Sequence, residues 1–157
     1  MEESHYEQIY ERGIKAMENR YLYRAKRTDN GEWVEGYLSY PYCTKKGAES
    51  YYFYAKDSLG FYCRCIVSDE TICRCTGRTD RDKALVFEHD VVAYLDTYST
   101  ENGYAEADCV GEVVWDEETL SFQVTNRLSA ESWEVLDEEC KVLGNTIEHP
   151  ELLEVQP

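Results

Sequence analysis

The sequence predicts a mainly β domain, α+β in class because one N-terminal amphipathic helix precedes it, built as a small barrel or strongly twisted antiparallel sheet. Three observations carry that expectation. About three quarters of the way along the chain Leu120, Phe122 and Val124 alternate with Ser121, Gln123 and Thr125, the period of two of a strand with one buried face. Val113 with Trp115, and Val91 with Ala93 and Leu95, mark two further half-apolar strands, and a loop near Asn102-Gly103 joins them. Strands of this kind must bury their faces together, and three or more joined by short turns make a barrel or a twisted sheet.

A chain of 157 residues is read as one β domain over 21–157, with its barrel strands mainly within 84–147, preceded by a helical extension over 1–20. The 14 Tyr, 4 Phe and 3 Trp supply enough apolar area to offset the charge, so disorder is not expected. The acidic start MEESHYEQ lacks the apolar segment of a secretory signal. No apolar run approaches the length of a membrane span. With an odd count of 7 Cys, the expectation is reduced thiols in a cytoplasmic protein.

Charge is segregated. Residues 1–83 hold 14 Lys and Arg against 14 Asp and Glu, whereas residues 84–157 hold only Arg127 and Lys141 against 18 acids. The whole net charge of -16 therefore arises in the second half. A field of that sign repels nucleic acid and anionic membranes and attracts basic partners, although a self-repelling solvated surface accounts for it too.

In chain order, residues 4–20 read as a helix. Ser4 and Glu7 form a capping box, and Tyr6, Ile9, Tyr10, Ile14 and Met17 share a face. Tyr21 to Tyr40 reads as a hairpin about a tight type I′ turn at Asn30-Gly31. Tyr51–Ala55 and Phe61–Val67 are aromatic-rich strands. Their rings are read as half-buried sheet residues, and the cations near them (Lys45, Lys46, Lys56, Arg64) as scattered and balanced by acids, so no direct nucleic-acid contact is expected. Residues 129–140 are ambiguous between helix and strand. After them come a short apolar segment, a turn at Gly144-Asn145, and Pro150 opening a final helical turn.

Chemistry is sparsely signalled. Two C-x-C pairs, Cys63 with Cys65 and Cys73 with Cys75, would each put two sulfurs on one strand face, and four thiolates in a tetrahedron hold zinc. Structural zinc sites use C-x2-C knuckles, so the spacing favours core packing, and neither metal nor cofactor is expected. His5, His89 and His149 lie far apart, with no H-E-x-x-H, no G-x-S-x-G and no phosphate-binding glycine loop. No catalytic residue is assigned and no enzyme is expected.

The run Val142-Leu143-Gly144-Asn145, followed by Pro150-Glu151-Leu152-Leu153, resembles the C-terminal signature of the YopX family of phage and prophage proteins. Tyr23-Arg24-Ala25 with Glu32-Trp33-Val34-Glu35-Gly36 is similar to that family's opening hairpin. Asp69-Glu70-Thr71 with Thr76-Gly77 and Asp80 resembles its middle segment. Phe87-Glu88-His89-Asp90-Val91-Val92 and Gly111-Glu112-Val113-Val114-Trp115 resemble its barrel strands. The resemblance covers about residues 21–154. Three features depart from it: His89 stands where the family commonly has glycine, Cys73 and Cys75 fall in a segment that usually lacks cysteine, and the N-terminal helix is an addition. The resemblance implies an SH3-like barrel element, a phage or prophage origin and an oligomer, but no reaction.

The function expected is that of a non-enzymatic accessory protein in the bacterial cytoplasm that binds and modulates a host or phage protein. In a sharper form, its acids mimic nucleic acid and occupy the groove of a basic nucleic-acid-binding protein, as an anti-defence factor would. The surface assigned to this is Glu106, Asp108, Asp116, Glu117, Glu118, Asp137, Glu138 and Glu139, because acids at i and i+2 on a strand stand ~6.5 Å apart on one face. The alternatives are a small-ligand or zinc-binding β module, resting on the C-x-C pairs and the tyrosines, and an oligomeric scaffold assembled through the N-terminal helix.

Overall fold

A computed structural model of the protein describes residues 19–39, 42–43, 49–50, 52–56, 59–126, 130–132 and 139–154. The helix expected over 4–20 falls almost wholly outside them. The chain divides into two compact units, Met1–Gly77 and Arg78–Pro157. Every sheet pairing in both is antiparallel.

In the first unit, β1 (Tyr23–Lys26) and β2 (Trp33–Leu38) form the expected hairpin. A short ladder of β3 (Tyr42–Cys43) and β4 (Glu49–Ser50) follows. Next come β5 (Tyr52–Lys56), β6 (Tyr62–Ile66), a 3₁₀ turn over Asp69–Thr71, and β7 (Cys73–Thr79), which runs across the unit boundary. The strands lie side by side in the order β6-β5-β2-β1-β7. One face of the sheet carries the core of Ala25, Phe53, Ala55 and Val67, with Tyr23, Val34, Leu38, Cys65 and Ile72 packed on it. Each buried aliphatic or aromatic side chain contributes ~1.5–3 kcal/mol.

The Asn30-Gly31 turn differs from the type I′ expectation. Thr28 to Gly31 form a four-residue loop closed by Arg27 N–H to the Glu32 carbonyl at 3.0 Å, and only Gly31 has positive φ, at 71°. A type I′ turn requires positive φ at two residues. Here the Asn30 side chain accepts from Glu32 N–H at 3.0 Å and donates to the Glu32 carboxylate at 2.8 Å, which stabilises the wider loop. Gly36 is required by close approach, because a Cβ there would lie 2.1 Å from the Tyr54 carbonyl oxygen.

The second unit contains β8 (Leu85–Phe87), β9 (Asp90–Thr100), β10 (Gly103–Asp116), β11 (Ser121–Thr125), β12 (Ala130–Ser132), β13 (Lys141–Asn145) and a 3₁₀ turn over Pro150–Leu153. Five strands lie in the order β12-β11-β10-β9-β13. Val86, Val92, Tyr94, Val113, Val124 and Cys140 form its core, with Cys109, Phe122 and Val142 against it. Trp115 meets Phe122 edge-on at 5.1 Å.

This sheet is open among the described residues, which corrects the barrel expectation. Its outer strands, of three and five residues, are too short to meet and close it, and β13 is bulged between Val142 and Gly144. Three residues of the alternation also fall elsewhere. Leu120 sits in the turn before β11, with φ 52° and 69% exposure, and the core face of β9 runs through Val92 and Tyr94 instead of Ala93 and Leu95. Pro150 does open the last helical turn, as its fixed φ and missing N–H allow.

Candidate acidic interaction face of the second unit

β9 and β10 are longer than their neighbours. They pair from Val91–Glu112 out to Thr100–Gly103, but β11 reaches only Glu112–Asp116 of β10 and β13 only Asp90–Ala93 of β9. Among the described residues the hairpin therefore continues from about Tyr94 to Gly111 as a two-stranded ribbon. Most of its outer residues are exposed, as expected of strands with no sheet neighbours.

The register sorts the acids of β10. Glu106 and Asp108 are both exposed and share one ribbon face, opposite Thr97 and Leu95. Farther along the same face come Val110, Glu112, Val114 and Asp116, by the period of two. The pairing proposed for Asp116 and Glu118 is not made on a strand. Asp116 ends β10 and holds the following turn, accepting from Glu118 N–H at 3.0 Å, Thr119 Oγ1 at 2.6 Å and Gln123 Nε2 at 2.8 Å. The Thr119 hydroxyl and the turn amides hold its carboxyl below the usual carboxylate range. Glu117 and Glu118 lie exposed in that turn, and Glu139 is exposed just before Cys140. Asp137 and Glu138 lie outside the described residues.

Glu112 was not singled out by sequence. Half-buried, it accepts at one oxygen, Oε1, from both the Thr146 hydroxyl and His89 Nδ1, each at 2.8 Å. The His89 hydrogen bond is the main cause that keeps its pKa below the usual glutamate value, against the opposing effect of burial. Glu112 also lines a cavity of about 320 Å³ with Val110, Thr125, Asn126, Leu153 and Glu154. A carboxylate fixed on one oxygen at the wall of such a cavity suits a cationic group. The alternation could have placed Glu112 on the face of Glu106 and Asp108. Only the fold brings His89 and Thr146 to it.

The other sequence candidates separate. Cys63 and Cys65 lie on β6 and Cys73 and Cys75 on β7, with β5, β2 and β1 between them. At ~4.8 Å per strand that is ~19 Å, too far for one tetrahedral ion. Among the described residues no group of three or more His, Cys, Asp or Glu is placed to hold a metal. Cys73 and Cys75 are buried, in line with core packing, while Cys63 is exposed. Burial pushes the Cys65 thiol up. His5 lies outside the described residues, and His149 pairs with Glu151 at 3.0 Å on the surface. No helix among the described residues is long and apolar enough to cross a membrane.

The model of the family described as YopX protein matches residues 22–154. The chain belongs to the YopX family. Among solved structures it is similar to the crystal structure of protein EF1440 from Enterococcus faecalis, with 23% identity over 83% of this chain and 96% of that one and a TM-score of 0.44. No curated protein matches it.

Several of the residues that carry the YopX resemblance hold backbone in place. Thr71 Oγ1 accepts from Lys26 N–H at 2.8 Å and donates to the Ser68 carbonyl at 2.7 Å. Asp80, 2% exposed, accepts from the N–H groups of Asp82, Ala84 and Val142 at 2.9, 2.9 and 3.1 Å. Asp90 accepts from Phe87 N–H at 2.8 Å, and Asn145 Oδ1 from Glu148 N–H at 3.0 Å. A Cβ at Gly144 would stand 2.8 Å from Leu152 Cδ1, so the end of that side chain would have to shift to admit one. His89 has φ 68°, in the left-handed region glycine favours. Its N–H donates to the Val113 carbonyl at 2.8 Å and its carbonyl accepts from Thr146 N–H at 2.9 Å, so the strained conformation is fixed from both sides.

Proposed function

We propose that this YopX protein is a phage-encoded accessory protein of the bacterial cytoplasm that acts by binding, engaging a basic partner protein through the acidic face of its second unit. The observation that carries the reading is the exposed ribbon with Glu106 and Asp108 on one face, continuing on β10 to the cavity-lining Glu112. Residues 78–157 hold 5 Lys and Arg against 20 Asp and Glu, so the local field adds attraction for cations at long range. The sharper form is mimicry of nucleic acid, in which spaced carboxylates replace phosphates in a groove whose affinity is mainly electrostatic.

The test uses nuclease-treated bacterial lysate passed over the immobilised protein and over a Glu106→Gln, Asp108→Asn variant, eluted along a salt gradient. The expected result is a basic nucleic-acid-binding protein that leaves the native protein at moderate salt, is competed away by added DNA, and is not retained by the variant. Equal retention by both would sink the proposed face. Retention that DNA does not compete would leave partner binding and remove mimicry.

A further inference from the structure

The first unit's sheet has a second face, of opposite character to the acidic ribbon. Its register places Arg24 and Lys26 of β1, Trp33, Glu35 and Tyr37 of β2, and Tyr52, Tyr54 and Lys56 of β5 on the side away from Ala25, Phe53 and Ala55. Tyr62, Arg64 and Ile66 of β6 complete that side. Among the described residues, four cations and five aromatic rings of these strands thus share one face with a single acid, Glu35. In sequence Lys56 and Arg64 looked scattered and balanced, because the alternation sends the intervening residues to the other side.

The rings and cations are arranged together. The Arg64 guanidinium lies 4.2 Å from the Tyr52 ring centre, Lys56 5.3 Å from Tyr62, and Arg24 and Lys26 lie 4.9 and 5.6 Å from Trp33. Tyr37 and Tyr62 stand 5.9 Å apart at a 48° tilt. Contact of this kind keeps each positive group low on the sheet beside a ring. The β5–β6 side is open to solvent: Tyr62 is 52% and Ile66 54% exposed, with Tyr54, Lys56 and Arg64 also exposed. At its end, Tyr52, Arg64 and Ile66 help to line a concavity of about 390 Å³, together with Arg27 and the Asp29 carboxylate that pairs with it.

We propose that this face binds single-stranded nucleic acid. Cations alone would suit any polyanion. The interleaved rings decide between them, because unpaired bases present flat π faces that stack on tyrosine and tryptophan while phosphates meet the neighbouring cations. A duplex hides those base faces, and an acidic protein has no comparable use for five rings. Four strands at ~4.8 Å spacing give a platform ~14 Å wide, room for two or three stacked bases.

The test is fluorescence anisotropy of a labelled single-stranded oligothymidylate with the full-length protein across a salt series, with fold checked by circular dichroism. With Lys56 and Arg64, the exposed cations of the face, engaged, log affinity should fall against log salt with a slope of about -1.4. Arg64→Gln should reduce the magnitude of that slope by about 0.7. Tyr62→Leu, at an exposed position that keeps its apolar character, should weaken binding by about 5- to 150-fold and leave the slope unchanged. The Glu106→Gln, Asp108→Asn variant should bind the oligonucleotide no less well than the native protein, which keeps this result separate from the partner reading. Absence of binding at about 50 mM salt, or equal affinity for duplex, overturns the proposal. So does a dimer by light scattering that Tyr62→Leu converts to monomer, since the face would then be a contact between copies.

Discussion

His89 and Asp80 show how single residues set the frame of the second unit. His89 holds a left-handed backbone that costs a non-glycine residue ~1–2 kcal/mol, partly offset by its bond to Glu112. His89→Ala keeps the strain and loses the bond, whereas His89→Gly loses the bond but relieves the strain. The glycine variant should therefore be the more stable of the two by ~1 kcal/mol after allowing for glycine's larger unfolded-state entropy. Identical urea midpoints for the two would rule out strain at this position. At Asp80 burial acts to raise the pKa, but the N–H groups of Val142, Ala84 and Asp82, with Lys141, outweigh it and keep it low. A depressed native pKa contributes stability above the unfolded carboxylate value, about 4, and loses it as pH falls through the lower native value. Asp80→Asn should cost ~2–4 kcal/mol at neutral pH, since backbone donors are left without a full acceptor. The gap between native protein and variant should narrow below about pH 4 in denaturant titrations. A gap constant with pH would mean that the charge of Asp80 contributes nothing.

Among the elements, strands were legible wherever one face is buried and the other wet. The first hairpin, the two aromatic strands and β11 follow their alternation, with ends shifted by a residue or so. What failed were places where the third dimension decides. Leu120 continues the apolar pattern into a four-residue turn whose last position is left-handed, the position Gly31 fills in the first hairpin. Val91 and Val92 are both buried, so one face could not be picked out from apolarity alone. The cysteine pairs could be imagined together only because strand order is not written in spacing: β5 and β6 add on one side of the first hairpin and β7 on the other. The same limit concealed the aromatic and cationic face, whose members come from four strands, and the partners of Glu112, which lie 23 and 34 residues away.

For the whole molecule, the charge break read near residue 83 falls close to the unit boundary after Gly77. The two halves thus differ in surface chemistry as well as in fold. Thr71, Asp80, Asp90 and Asn145 of the YopX motifs hold backbone, while Arg24, Trp33 and Glu112 of the same motifs stand on the two faces proposed to bind. The ribbon has one more consequence, for colloidal behaviour. Its outer backbone edges have no strand neighbour among the described residues, and such edges invite pairing with another molecule. Glu106, Asp108 and Glu101 place like charges along them, so at neutral pH two ribbons repel. As pH falls from 7 toward the isoelectric value near 4.5, that protection fades and scattering mass should rise. Thr97→Lys, which keeps a charge on the ribbon in acid, should delay the rise, and the same charge introduced by Leu120→Lys should not. Equal onset for both variants would trace the association to net charge alone. The acidity proposed to draw a basic partner is then also what keeps the molecules dispersed, and any partner that neutralises it must cover the edge it exposes.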